Sequence, residues 1–524
     1  MAVVSDRALD PGSRALLDLT LRQGVSDEQV AKLVGAEPDD IADRRADALE
    51  EVIELAEPAD GEAERVIAVA ERILAEARAA EDERSEAAAP PRTTGNALDL
   101  VLRLLAAGYL ALLLVAVIVY KAAFVEMLMV DPLLTAYGLV VCGYIVTRFV
   151  FSMVYRAPRD AGLEPRVAIV MPAFNEEEAI GRSLRSLLQV DYPHEKLEIV
   201  AVDDGSTDQT LAAMRAVAAD EPRVRVIAFG RNLGKRAAMA AGIRATEAEV
   251  IAFVDSDSVL EPDALRKLVQ GFADPKVGAV CGHADVLNVG QSWLTRMQAV
   301  RYFVAFRVVK AAESIFNTVT CCSGCFSAYR REAILPRLEW WENQRFLGVQ
   351  STFGDDRSLT NCVLRDWRIK YHANAVSHTA VPSTFHQFMR QQLRWKRSWT
   401  RESLIVGRFV WRKNPLASIA TYVGVVLPLV APVICVRTVV WQPLFGGGGV
   451  PLVYALGVYA MALGYGLCYA VRHARYDHLW IFGVGFCFFY LAFLLWQTYF
   501  AMLTVRTTSW GTRPATAGSH EAAA

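Results

Sequence analysis

Residues 250–257 read Val-Ile-Ala-Phe-Val-Asp-Ser-Asp, a short unbroken apolar run that stops on an acidic turn. A run this short, rich in β-branched and aromatic residues and closed by polar ones, has the pattern of a strand buried on both faces. The same pattern occurs upstream at 167–171, 197–202 and 224–229, each run ending where polar residues or a glycine begin. Between these runs lie helical patterns at 179–188, 209–219 and 236–245. Strand and helix therefore alternate, which predicts a parallel, doubly wound α/β sheet within residues 164–400, with ligands bound beyond the carboxyl ends of its strands.

The polar motifs fall at those ends. The first strand runs into Pro172-Ala173-Phe174-Asn175-Glu176, a turn whose backbone can approach a flat base. The second runs into Asp203-Asp204-Gly205-Ser206-Thr207-Asp208, where a carboxylate can accept from a uracil N–H and Ser206 or Asp208 can cap the next helix. Arg231-Asn232-Leu233-Gly234-Lys235-Arg236 places adjacent cations just before a helix, which suits a diphosphate. Asp255 and Asp257, two residues apart on a turn, can hold a hard divalent cation through oxygen ligands. Each motif also has a plainer reading: Asp208 as a helix cap, the basic run as a solvated face, the acidic pair as a common turn. Their shared position in the sheet is what favours a site.

Two later motifs extend the pattern. Gly354-Asp355-Asp356-Arg357 is a carboxylate pair beside a cation, and Gln391-Gln392-Leu393-Arg394-Trp395 contains a Q-x-x-R-W pentapeptide shortly before long apolar runs. Together with the strand-end loops they resemble the family 2 glycosyltransferases of GT-A fold, in their membrane-embedded processive branch. Trp341-Glu342-Asn343-Gln344-Arg345-Phe346-Leu347-Gly348 and Gly354-Asp355-Asp356-Arg357-Ser358-Leu359-Thr360-Asn361 look most like the hyaluronan synthases, with chitin-oligosaccharide and cellulose synthases as near relatives. The likeness covers roughly residues 100–515. Similar synthases usually carry Ser-Gly-Pro where this chain has Ser323-Gly324-Cys325, so the acceptor side departs from the family pattern.

The resemblance implies an inverting transfer from UDP-sugar donors to a growing polysaccharide. Asp356 is then the base, Asp355 shapes its loop and Arg357 holds it. Ala173, Asn175, Glu176, Asp203, Asp204, Lys235, Asp255, Gln391 and Arg394 would bind the donor. Ser323, Gly324, Cys325 and Trp395 would meet the acceptor, the indole offering a flat apolar face to a sugar ring. Asp257, with Asp255, would hold Mg²⁺ or Mn²⁺. The plainer readings are an Arg357-anchored loop for the acidic pair and a buried interfacial anchor for Trp395.

Apolar stretches at 104–120, 132–155, 415–436, 450–471 and 479–505 approach or exceed the length that crosses about 30 Å of hydrocarbon. They predict two transmembrane helices within 97–155 and interfacial and transmembrane helices within 401–513, followed by a tail at 514–524. Basic residues follow the second and fourth stretches, Arg156-Ala157-Pro158-Arg159 and Arg472-His473-Ala474-Arg475, which places both loops, the catalytic domain and the N-terminus in the cytosol of a multi-pass plasma-membrane protein. Trp510-Gly511-Thr512-Arg513 resembles a motif at the cytosolic mouth of such synthases. A full crossing by 479–505 would put it outside, so that stretch is expected to be interfacial or re-entrant.

Residues 1–95 are Ala-, Glu- and Arg-rich with helical periodicity and end in a Pro-rich linker, an all-α module for a regulatory or binding partner. Its 21–45 portion faintly resembles a helix-turn-helix, but the segment is acidic and tethered to a bilayer, and the chain's formal net charge of −2 offers no footing for nucleic acid. The nine cysteines include a cluster at Cys321, Cys322 and Cys325 with no second pair at zinc spacing, which reads as reduced cytosolic thiols. Two other functions share the donor motifs: a non-processive transferase acting on a lipid carrier, which would not need Q-x-x-R-W, and an inactive sugar-nucleotide sensor or scaffold, which would not need Asp257, Asp356 and Arg394.

Overall fold

The computed structural model describes residues 132–445, 450–472 and 478–508, with positions 41, 44, 48, 108 and 112. The chain separates into two compact units, Met1–Thr94 and Gly95–Ala524, and the sheet belongs to the second. The helical module expected at 1–95 and the span expected at 104–120 lie outside the described residues apart from those five positions, and Trp510-Gly511-Thr512-Arg513 lies wholly outside.

One eight-stranded sheet is built from β1 (Val167–Ala173), β2 (Leu197–Asp203), β3 (Val224–Ala228), β4 (Val250–Phe253), β5 (Ser258–Leu260), β6 (Val277–Val286), β7 (Ser327–Arg330) and β10 (Arg368–Thr379), in the order β3-β2-β1-β4-β7-β6-β10-β5. Strands β8 (Arg345–Phe346) and β9 (Val349–Gln350) form a separate hairpin. The four strands read from sequence are mutually parallel. Beyond them the sheet is mixed, because β7 runs antiparallel to both β4 and β6. The expected all-parallel sheet therefore holds for β1–β4 and gives way at β7, whose Ser-Ala-Tyr-Arg sequence carries no apolar run.

The helices that frame the sheet and the membrane side are α1 (Pro132–Val154), α2 (Ile180–Leu188), α3 (Thr210–Asp220), α4 (Lys235–Arg244), α5 (Ala264–Val269), α6 (Trp293–Phe303), α7 (Asp355–Leu364), α8 (Phe385–Gly407), α9 (Pro415–Val436), α10 (Val450–Arg472), α11 (Leu479–Phe489) and α12 (Gln497–Leu503). Every residue of β1 is buried. Its period-2 alternation sends Val167, Ile169 and Met171 into one core with Ile180, Leu184 and Leu187 of α2. Ala168 and Val170 enter the other with Ala238, Met239 and Ile243 of α4. Covered on both faces, such strands need to be apolar throughout, which is why their sequence runs are unbroken. Gly242 lets α4 close on the sheet, since a Cβ there would sit 2.4 Å from Val170 Cγ1.

Among the described residues two helices, Pro132–Val154 and Pro415–Phe445, are long and apolar enough to cross a bilayer. Tyr454–Ala470 within α10 is a shorter apolar helix, and Leu479–Leu494 with Gln497–Leu503 forms a pair bent by 43°. Such a bend belongs equally to a broken span and to a re-entrant segment. At the membrane side, Tyr155 Oη donates to Tyr371 O on β10 at 2.6 Å, and Tyr499 Oη donates to Leu429 O on α9 at 2.6 Å.

Candidate active site

A cavity of about 850 Å³ opens at the carboxyl ends of β1 and β4, and all the site residues named from sequence line it except Asp203. Asp203 is 1% exposed and its carboxylate accepts from Ser206 N–H at 3.2 Å, so it shapes the turn. Gly205 is required in that turn: its φ is +72° and a Cβ would lie 2.3 Å from the Arg231 carbonyl carbon.

The first two loops are laced together. Asn175, at φ +54°, donates its N–H to Ser206 Oγ at 3.0 Å and accepts from Thr207 N–H at 2.9 Å. Glu176 N–H donates to Thr210 Oγ1 at 2.8 Å, and Asp208 accepts from Thr210 N–H at 3.0 Å beside the start of α3. These bonds fix the edge formed by Ala173, Asn175 and Glu176.

The basic loop is arranged differently from its sequence reading. Asp204 accepts from Leu233 N–H at 2.7 Å and Gly234 N–H at 3.0 Å, so those donors are already engaged before any phosphate arrives. Of the adjacent cations only Lys235 faces the cavity, where it ion-pairs with Asp255. Arg236, one position along the helix and so about 100° around it, is 4% exposed and reaches Asp355 instead.

Asp255 and Asp257 both face the cavity. Burial, and then the neighbouring Asp255 carboxylate, raise the Asp257 carboxyl to about 6. Two recessed carboxylates that repel one another fit a divalent cation, whose remaining ligands would be substrate phosphate and water, because no cluster of three protein ligands exists among the described residues. Gly324 presses against this pair, its Cβ position 2.9 Å from Asp255 Oδ2, which leaves the 323–325 loop no side chain there. Next to it, Cys325 is pushed up to about 12 by burial and then by Asp255 and Asp257, a thiol that stays protonated.

Asp355 and Asp356 open α7, where the helix dipole favours acidic residues. Gly354 before them is left-handed at φ +77°, and a Cβ would fall 1.8 Å from Ser398 Oγ of α8. The acidic motif and α8 thus meet backbone to side chain. Asp355 is held by Arg236 Nε at 2.7 Å, and Arg236 Nη1 also donates to Gln344 Oε1 at 2.7 Å and Trp341 O at 3.0 Å. By resemblance the clamping role falls to Arg357. Here Arg357 touches Asp356 through its backbone N–H, 2.8 Å from Oδ1, and the cation gripping Asp355 is Arg236. Asp356 Oδ2 lies 3.7 Å from Cys321 Sγ.

On α8, Gln391, Arg394 and Trp395 stand at i, i+3 and i+4, one face of the helix, and all three line the cavity. Lys396 of the same helix donates to Leu494 O and to Thr498 Oγ1 at 2.8 Å, which ties α8 to the bent α11–α12 segment. Arg301, Tyr302 and Lys310 also line the cavity and were not picked out from sequence, since nothing in the pattern of α6 or of residues 304–310 after it sets them apart from an ordinary amphipathic face.

With a nucleotide-sugar-sized cavity, a carboxylate pair at a strand end and a second pair opposite, comparison with known proteins becomes informative. Residues 168–335 match the Glycosyl transferase family 2 domain. A hyaluronan synthase of Streptococcus pyogenes is 32% identical over 385 residues, spanning 72% of this chain and 90% of that protein. The chain belongs to glycosyl transferase family 2. This glycosyltransferase is also 34% identical to an N-acetylglucosaminyltransferase of Azorhizobium caulinodans over 355 residues, 67% of this chain and 88% of that one. Among solved structures, a mannosyltransferase from Pyrobaculum calidifontis in complex with GDP-Man and Mn²⁺ aligns at 21% identity and a TM-score of 0.48, covering 69% of this chain and 99% of that chain. The mixed sheet with its strand-end cavity is the GT-A-like arrangement of the family.

Proposed function

We propose that this glycosyltransferase is a membrane-embedded, inverting, processive synthase that polymerises UDP-sugars and feeds the product into the bilayer, with a hyaluronan-type alternating polymer as product. The observation that carries the reading is the convergence of Asp356, the Gln391–Arg394–Trp395 face and the Asp255–Asp257 pair on one cavity. The helices Pro132–Val154 and Pro415–Phe445 support placement in a membrane. The similarity to a hyaluronan synthase supports the product class.

The uracil base lies along Ala173, Asn175 and Glu176, and Asp204 offers a carboxylate lone pair at the cavity edge. Lys235 and Arg394 face the diphosphate. Asp255 and Asp257 would hold Mg²⁺ or Mn²⁺, which when bound neutralises charge developing on the leaving diphosphate. The acceptor sugar stacks on Trp395 beside Ser323, Gly324 and Cys325. Asp356 takes the proton from its hydroxyl as that oxygen bonds to donor C1; the bond from C1 to the diphosphate breaks on the opposite face, and UDP leaves. Asp355, paired with Arg236, keeps the turn in place, and Arg357 adds positive charge beside the base.

The catalytic domain and N-terminus are assigned to the cytosolic side of the plasma membrane, and residues 1–95 to binding of a regulatory partner. A second reading, a polymer of N-acetylglucosamine alone, is favoured by the similarity to the N-acetylglucosaminyltransferase. Supplying purified protein in vesicles with labelled UDP-N-acetylglucosamine and UDP-glucuronate, singly and together, separates the two. Polymer that requires both donors supports the alternating product, polymer from UDP-N-acetylglucosamine alone supports the second reading, and donor binding without transfer refutes both.

A further inference from the structure

Arg301 sits near the carboxyl end of α6, where the helix runs into a wider π-type segment at Val304–Lys310. Its guanidinium carbon lies 5.3 Å from the Trp395 ring centroid and 5.6 Å from that of Phe486. Aromatic faces hold it, and its Nη1 is a buried donor with no hydrogen-bond partner. Three other cations that line the cavity have partners of their own. Lys235 pairs with Asp255, Lys310 Nζ lies 3.2 Å from Cys281 Sγ, and Lys396 donates to Leu494 O and Thr498 Oγ1. The titratable groups that face Arg301 are Tyr302, Tyr490 and Lys396, none of them a carboxylate.

A guanidinium taken from water without an anion is costly, and its planar fork matches a carboxylate through two parallel hydrogen bonds. The cavity is also polarised. The carboxylates that line it lie on the strand-end loops and α7, whereas α6 and α8, which carry Arg301, Arg394, Trp395 and Lys396, contribute no lining carboxylate. A sugar stacked on Trp395 with a carboxylate of its own would be pushed from the acidic side and drawn to Arg301, which leaves its hydroxyl edge turned toward Asp356.

We propose that Arg301 is a specificity residue that binds the carboxylate of a uronate at the growing end of the polymer, beside the Trp395 platform. The proposal rests on the alternating-polymer reading and adds to it the residue that recognises the acidic unit. Its stacking on Trp395, the acceptor platform, distinguishes this role from that of Lys235, which pairs with Asp255.

The test uses full-length protein in vesicles carrying nascent chains. Incubation with UDP-glucuronate alone leaves chains ended in uronate, and incubation with UDP-N-acetylglucosamine alone leaves chains ended in hexosamine; each preparation is washed and pulsed with the other donor, labelled. For Arg301→Gln the ratio of addition to uronate-ended chains over addition to hexosamine-ended chains should fall by roughly ten- to a hundredfold, the size of one charge-assisted hydrogen bond to substrate. Arg301→Lys, which keeps the charge and loses the fork, should recover part of that ratio and reports on folding independently. An unchanged ratio, with both additions slowed alike, or a rise confined to donor KM, overturns the proposal while a mixed polymer from the parent protein leaves the alternating reading standing. A parent protein that incorporates only the neutral sugar removes both.

Discussion

Arg236 Nε lies 2.7 Å from Asp355 Oδ1, with both side chains 5% exposed. The residue before it, Lys235, pairs with Asp255 inside the cavity. Two successive residues in the first turn of α4 therefore tie the strand-end acidic pair to the acidic pair that opens α7, and the two halves of the site share one support.

Replacing Arg236 by Met should unlatch that support. An aspartate left buried without its partner costs roughly 3–5 kcal/mol, so Arg236→Met is expected to lower the thermal midpoint of the detergent-solubilised protein and to cut sugar transfer more than UDP binding. A variant of normal stability and activity would show that Asp355 does not need the clamp.

Asp356→Asn keeps the shape of the side chain and removes its ability to take a proton. It should abolish polymer synthesis while UDP affinity stays within a few fold, measured by radiolabel incorporation and by titration with UDP. Appreciable turnover would remove Asp356 from the mechanism.

The parts of the molecule legible in the sequence were those whose physics is local. Strands β1, β2 and β4 are buried on both faces, so their composition alone marks them, and the motifs at their ends followed from the sheet's polarity. What stayed hidden needed the third dimension. The antiparallel β7 has two small residues in four and no apolar run. Whether Lys235 or Arg236 faces the cavity depends on helical phase at a boundary set by Gly234. The Gly354–Ser398 approach joins residues from two helices far apart in sequence, and Arg301 acquires its meaning only from the rings of Trp395 and Phe486 packed around it.

The acidic pair predicts a dependence on divalent cation and on pH. Activity should require Mg²⁺ or Mn²⁺, vanish in EDTA, and survive replacement of Cys321, Cys322 and Cys325 by Ser better than loss of Asp257. Because the Asp257 carboxyl is raised to about 6, it carries a proton below that pH and is ionised above it. Apparent Mn²⁺ affinity should therefore be flat well above that value and fall on acidification through it, as protons compete for the ligand. Without metal the sign is opposite for stability: the folded state holds this proton more tightly than the unfolded chain, so Asp257 favours folding at low pH and that contribution is lost as pH rises through about 6. Full activity in chelator would contradict the metal assignment.

Residues 1–95 hold none of the donor, acceptor or metal residues. Deleting residues 1–90 should leave membrane insertion and sugar transfer largely intact, measured as polymer yield per inserted protein. Loss of transfer by a well-inserted truncation would make this module part of the catalytic architecture.

Processivity requires that one active site build a long chain without releasing it. Its most direct measurement is the size distribution of labelled product made by purified protein in vesicles, taken with UDP-N-acetylglucosamine and UDP-glucuronate in large excess over enzyme and compared before and after digestion with hyaluronidase. A processive hyaluronan-type synthase yields high-molecular-weight product at the earliest times, with chains no more numerous than enzyme molecules and fully degraded by the hydrolase. Label that appears as single sugars on a lipid carrier, or as short oligosaccharides outnumbering the enzyme, would contradict it.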